Sequence, residues 1–128
     1  MMRTALLALT LAFLGCGDET VSGYASPGAT YRLVEVSGAP FAARATITFP
    51  EEGQVAGEAP CNRWSAAQNV PYPWFELGPV AATRRACPGL EAEGLFFSML
   101  GKMSLAEVQG PVLILSNDVG AEMVFEAE

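Results

Sequence analysis

The sequence predicts an α+β fold, a strongly curved antiparallel β-sheet or small barrel packed with one α-helix. Several short segments alternate apolar with polar residues, and turns rich in Gly, Pro, Asn and Asp separate them. One stretch alone repeats its apolar residues at helical spacing. Many short strands and a single helix must share one core, which curves the sheet around the helix.

Each element has its own signal. Residues 31–36 form a first strand, ended by the turn Ser37-Gly38-Ala39-Pro40. Within 44–49, Ala45, Ile47 and Phe49 alternate with polar residues, the period of a half-buried strand. Pro50-Glu51-Glu52-Gly53 turns the chain into a returning strand at 54–57. Another strand covers 61–67; Pro71-Tyr72-Pro73 interrupts the pattern, and 74–77 resumes it. The helix lies between Pro88 and Met103, with Ala92, Leu95, Phe96, Met99 and Met103 on its apolar face. Glu91 and Glu93 near its start and Lys102 near its end suit the helix dipole. Strands at 104–108, 112–115 and 122–125 follow, the last two joined through Asn117-Asp118-Val119-Gly120.

The N-terminus reads as a leader. Arg3 precedes ten apolar-rich residues at 5–14, too few for the roughly 20 that span a bilayer. Gly15 before Cys16 fits a bacterial lipobox, with Phe13 where Leu is usual. Residues 1–15 are therefore expected to be a lipoprotein signal peptide, and Cys16 the lipid-attachment residue. An ordinary secretory signal is the other reading. The Gly/Ser/Asp/Pro-rich stretch 16–28 is expected to be a flexible tether, and 29–128 the folded domain. Export would place Cys61 and Cys87 in an oxidising compartment as an even pair, which predicts a disulfide; a zinc site or two free thiols are the alternatives.

Composition narrows the function classes. The formal charge is −7, and losing Arg3 with the leader makes it −8. Such an acidic chain, without Lys/Arg clusters beyond Thr83-Arg84-Arg85, is expected to bind neither nucleic acid nor anionic membrane surfaces. Histidine is absent, which excludes Ser-His-Asp and Cys-His nucleophiles, His-containing zinc sites and an imidazole switch. Glu51-Glu52 sits in a turn and Glu91/Glu93 in a first helical turn, neither a catalytic pair. No cofactor is expected and no enzymatic activity.

The ordered blocks resemble a known family. They run Tyr31-Arg32-Leu33-Val34-Glu35-Val36, the Ile47/Phe49 strand with Gly53 and Gly57, Cys61-Asn62-Arg63, Leu77-Gly78-Pro79 and Thr83-Arg84-Arg85-Ala86-Cys87. An acidic, Phe-containing helix (Glu91, Glu93, Phe96, Leu100) and a hydrophobic hairpin (113–115 with 123–125) complete the order. This series resembles the META domain family of HslJ-like bacterial lipoproteins, over about residues 29–126. Tyr31, Pro60, Ala66 and Gln68 depart from the usual pattern. The resemblance implies a META-type β-rich fold with one helix, a bacterial envelope location and links to stress or novobiocin-type tolerance. It carries no catalytic residue.

The candidate contact residues are Asn62, Arg63, Tyr72, Trp74, Arg84 and Arg85. Asn62 reads first as a turn or bulge residue, and Arg63 as a partner for a carboxylate or for the face of Trp64 or Trp74. A ligand contact is the other reading for both. Arg84 and Arg85 read as a solvated loop partnered by Glu residues, or as an anion or partner contact. The function expected is a non-enzymatic protein, lipid-anchored to a membrane facing the periplasm and acting through an envelope protein partner. A carrier of a small hydrophobic ligand, or an inhibitor inserting residues 69–74 into a target, is the alternative.

Overall fold

The computed structural model describes residues 17–128. The expected leader and Cys16 lie outside them. In chain order these residues form β1 (Tyr31–Val36), β2 (Ala39–Pro40), β3 (Thr46–Ile47), β4 (Gln54–Glu58), β5 (Arg63–Ala67), β6 (Ala81–Ala82), α1 (Leu90–Leu100), β7 (Leu105–Gln109), β8 (Val112–Ser116) and β9 (Glu122–Ala127).

Two antiparallel sheets result. The larger runs β2-β1-β9-β8-β7, with β3 also paired to β1, and the smaller runs β4-β5-β6. They meet where Thr48 pairs with Ala56 through two N–H···O bonds of 2.7 and 3.0 Å. Gly57 permits this approach, because a Cβ there would lie 2.0 Å from the Thr46 carbonyl oxygen. Residues 73–78 connect β7 to β5 irregularly. Phe75 N–H donates to Ser104 O at 2.9 Å, and Gly78 N–H to Ala67 O at 2.8 Å. The curved sheet is thus the form adopted, and the sheets do not close into a barrel. β3 and β6 are too short, and the 73–78 connection too irregular, to complete a ladder.

Alternation works where both neighbours are strands. Tyr31 and Leu33 of β1, Leu113 and Leu115 of β8, and Met123 and Phe125 of β9 all point into one core. Ile47, Val55, Trp64, Phe75, Phe96 and Leu100 complete it. The strand expected at 44–49 is only two residues long, and Thr46 is buried beside Ile47. Its hydroxyl accepts the Glu58 N–H at 2.9 Å, and its carbonyl accepts the Trp64 indole N–H at 3.3 Å, so a polar residue is satisfied inside. The strand expected at 74–77 is a single bridge, Trp74 to Leu105.

The helix is present but turned from the expected face. Glu93, Phe96 and Leu100 are its buried residues, while Leu95 is 47% exposed. Trp64 sets the rotation: its ring meets Phe96 and Phe97 edge-on, with centroids 5.8 and 6.1 Å away. Lys102 lies beyond the C-terminal turn, which closes at Gly101.

The flexible tether expected over 16–28 is corrected for the part described. Asp18 accepts hydrogen bonds from the Thr20 N–H (2.8 Å), the Thr20 hydroxyl (2.6 Å) and the Ser22 hydroxyl. Burial pushes the Asp18 carboxyl up, but the bonds from Ser22 and Thr20 outweigh it and leave its pKa below the ordinary value. The turn Val21–Gly23 then drops Val21, 1% exposed, into the core. Glu19 O accepts the Tyr72 N–H at 2.7 Å, and the Tyr31 hydroxyl accepts the Ser26 N–H at 3.0 Å. A composition suited to a linker also suits a capped turn, and one apolar residue at 21 decides between them.

Candidate functional site

The densest polar construction is built on Cys61-Asn62-Arg63. This triplet connects the end of β4 to β5, and its neighbours come from residues 83–93. Cys61 and Cys87 are joined by a disulfide, with Cα atoms 5.6 Å apart. Asn62 is buried and uses its whole amide. Its Nδ2 donates to Arg85 O at 3.0 Å and to Glu93 Oε2 at 2.8 Å. Its Oδ1 accepts the Thr83 hydroxyl at 2.9 Å and the Arg85 N–H at 2.6 Å. Glu93, only 7% exposed, accepts the Cys61 N–H at 3.1 Å through its other oxygen. Two donors and two acceptors are thereby all taken.

That hub aims arginines. Thr83 receives the Arg63 N–H on its hydroxyl at 3.1 Å and returns its own N–H to Arg63 O at 3.0 Å. Asn62 holds both backbone groups of Arg85. Arg63 and Arg85 are consequently brought together with Arg44 around one open cleft of about 420 Å³, which Glu58, Pro60, Cys61 and Thr83 also line. Arg44 is engaged: its Nε donates to Glu58 at 2.9 Å and its Nη2 to Glu128 at 3.1 Å. Those bonds hold the Glu128 carboxyl below its ordinary pKa. Among the described residues no carboxylate pairs with Arg63 or Arg85. Three of the chain's seven basic residues thus share one cleft of an acidic molecule.

A second feature is aromatic. Tyr72 is half-buried, its hydroxyl accepting the Val108 N–H at 3.1 Å and its ring stacked on Tyr24 at 4.1 Å. Trp74 is 58% exposed and lines an apolar groove of about 550 Å³ with Val70, Pro71, Phe75 and Met103.

The META domain profile matches residues 25–128. The chain belongs to the META domain family. The META domain so defined begins before residue 29 and takes in Ala25, which is buried in the core. Two solved structures share the fold. An NMR structure of a protein from Burkholderia xenovorans is 19% identical, with a TM-score of 0.61 over 78% of this chain and 81% of that one. A crystal structure of a DUF4847 family protein from Bacteroides vulgatus is 12% identical, with a TM-score of 0.63 over 76% of this chain and 90% of that one. None of the curated proteins matches the chain.

Within the META domain, the two blocks containing Cys61 and Cys87 meet through Asn62, Thr83 and Glu93 as well as through the disulfide. Asn62 is a structural hub with no free valence for a ligand, and its role is carried by the side chain, not by a left-handed backbone. Arg63 takes no carboxylate partner among the described residues and faces the cleft. Arg84 is exposed and stands apart from the cleft lining, whereas Arg85 is part of it. Glu93 and Thr83 are the residues that sequence reasoning missed. Glu93 passes for a dipole-complementing helix acid; the signal to find it is its spacing of three and seven from Phe96 and Leu100.

Proposed function

We propose that this META-domain protein is a non-enzymatic module of the bacterial cell envelope, lipid-anchored through Cys16, that holds an anionic group of a protein partner in its arginine cleft. One observation carries the reading: Arg63 and Arg85, with no carboxylate of the described residues paired to them, are fixed beside Arg44 by the Asn62–Thr83 network. Arginine side chains presented on a rigid backbone suit bidentate capture of a carboxylate or phosphate. The leader and Cys16 support export and anchoring. Stress or novobiocin-type tolerance is the cellular role that family resemblance favours. The hydrophobic-ligand carrier has less support, since Tyr31, Leu33, Phe96, Leu113 and Phe125 are buried together in the interior that such a ligand would need.

Calorimetric titration with an acidic peptide of four consecutive glutamates tests the cleft. The wild-type protein should bind it, and the Arg63→Gln/Arg85→Gln variant at least about tenfold more weakly, a difference of about 1.4 kcal/mol. Arg84→Gln should change affinity little. Equal affinity of wild type and double variant would overturn the assignment.

A further inference from the structure

Docking of residues 18–25 alters what a lipid on Cys16 would do. Gly17 alone separates that cysteine from Asp18, which the Thr20 and Ser22 hydroxyls hold in place. Two residues reach at most about 7 Å when fully extended. The headgroup layer on each side of a bilayer is itself about 5–8 Å deep. An acyl-anchored domain with so short a leash cannot stand off the membrane; the face around Asp18 has to meet it.

The surface next to that point is aromatic. Glu19 O is bonded to the Tyr72 N–H, and Tyr24 lies on the Tyr72 ring. Pro71 lines two hollows, one with Gly17, Glu19 and Thr20, the other with Trp74 and Val70. Tyr24 and Trp74, 54% and 58% exposed, are thus linked through Tyr72 and Pro71 to the segment that follows Cys16. Large amphipathic rings left open to water are the side chains that settle at a membrane–water interface.

We propose that Tyr24 and the 70–74 loop form a membrane-seating surface that rests Trp74 in the interfacial layer of a zwitterionic phospholipid bilayer. The inference rests on the lipid-anchor reading of Cys16. Glu19, Glu52 and Glu76 border the same region and outnumber its one cation, Lys102, and the chain carries net negative charge, so the surface favours zwitterionic over anionic lipid.

The test uses the full acylated protein in phosphatidylcholine vesicles, with and without brominated acyl chains. Trp64 is buried and Trp74 exposed, and the chain has two tryptophans, so bromine quenching reports on Trp74. Wild type should be quenched, and Trp74→Phe should lose that quenching. Inserting fifteen Gly/Ser residues between Gly17 and Asp18 should leave vesicle binding intact and reduce quenching severalfold. Vesicles rich in phosphatidylglycerol should also reduce it. Acylated, vesicle-bound protein whose emission is quenched no more than that of Trp74→Phe would overturn the seating alone. A Cys16 peptide without acyl mass would overturn the anchor reading and the seating with it.

Discussion

Asn62 and Glu93 show how little room a saturated polar hub leaves for function. Each hydrogen-bonding atom of the Asn62 amide has a partner, and both Glu93 oxygens accept bonds from the 61–62 segment. Removing one member strands the others inside the protein, where an unsatisfied donor costs about 1–3 kcal/mol. Glu93→Ala leaves the Cys61 N–H without its acceptor and Asn62 with one donor bond fewer. The expected loss is about 2–4 kcal/mol in urea unfolding, where Glu91→Ala, exposed in the same helical turn, should change stability by under about 0.5 kcal/mol. Comparable small losses from both variants would mean that water replaces the Glu93 carboxylate. The hub serves the cleft indirectly, because it fixes the backbone from which Arg85 extends.

Helix α1 is the element where pattern and packing diverge. Its apolar residues, Leu90, Leu95, Phe96, Phe97, Met99 and Leu100, surround much of the axis, so spacing alone allows several inward faces. Trp64 selects one by meeting Phe96 and Phe97, which turns Glu93 toward Asn62 and Leu95 toward water. Phe96→Ala should therefore cost about 3–5 kcal/mol, the range for emptying a core aromatic site. Leu95→Ala should cost under about 0.5 kcal/mol, as expected for a surface position. Reversed magnitudes in denaturant unfolding would show that the face containing Leu95 is the one packed.

At the scale of the molecule, two ties hold peripheral chain to the core. The disulfide closes a span of 26 residues around β5, β6 and the arginine loop. Chain-entropy arguments give about 3.5 kcal/mol for a loop of that length. Cys61→Ser/Cys87→Ser should lose stability of that order, and it should weaken peptide binding beyond the effect on stability, because the disulfide two residues beyond Arg85 no longer supports the placement that Asn62 gives its backbone. Unchanged affinity in a folded double variant would show that Asn62 alone suffices to place the cleft. The other tie is Val21, which brings the segment after Cys16 onto the fold and converts an expected leash into a fixed exit point.

The sequence by itself determined the fold class, the strands that alternate, the single helix, the cysteine pairing expected after export, and the META resemblance. These rest on local period, turn chemistry and residue order, which need no knowledge of partners. Tertiary structure alone decided the rest. Thr46 and Gly57 let the two sheets meet at the Thr48–Ala56 pair, although the alternation over 44–49 places Thr46 on the polar face. Trp64 chose the helix face among several that spacing allowed. Asn62 and Thr83, about twenty residues apart, brought Arg63 and Arg85 to one cleft while leaving Arg84 outside it. The segment after Cys16 looks like a linker until the core offers Val21 a place. Each of these choices depends on which side chain meets which across long stretches of chain, and local pattern holds no record of such meetings.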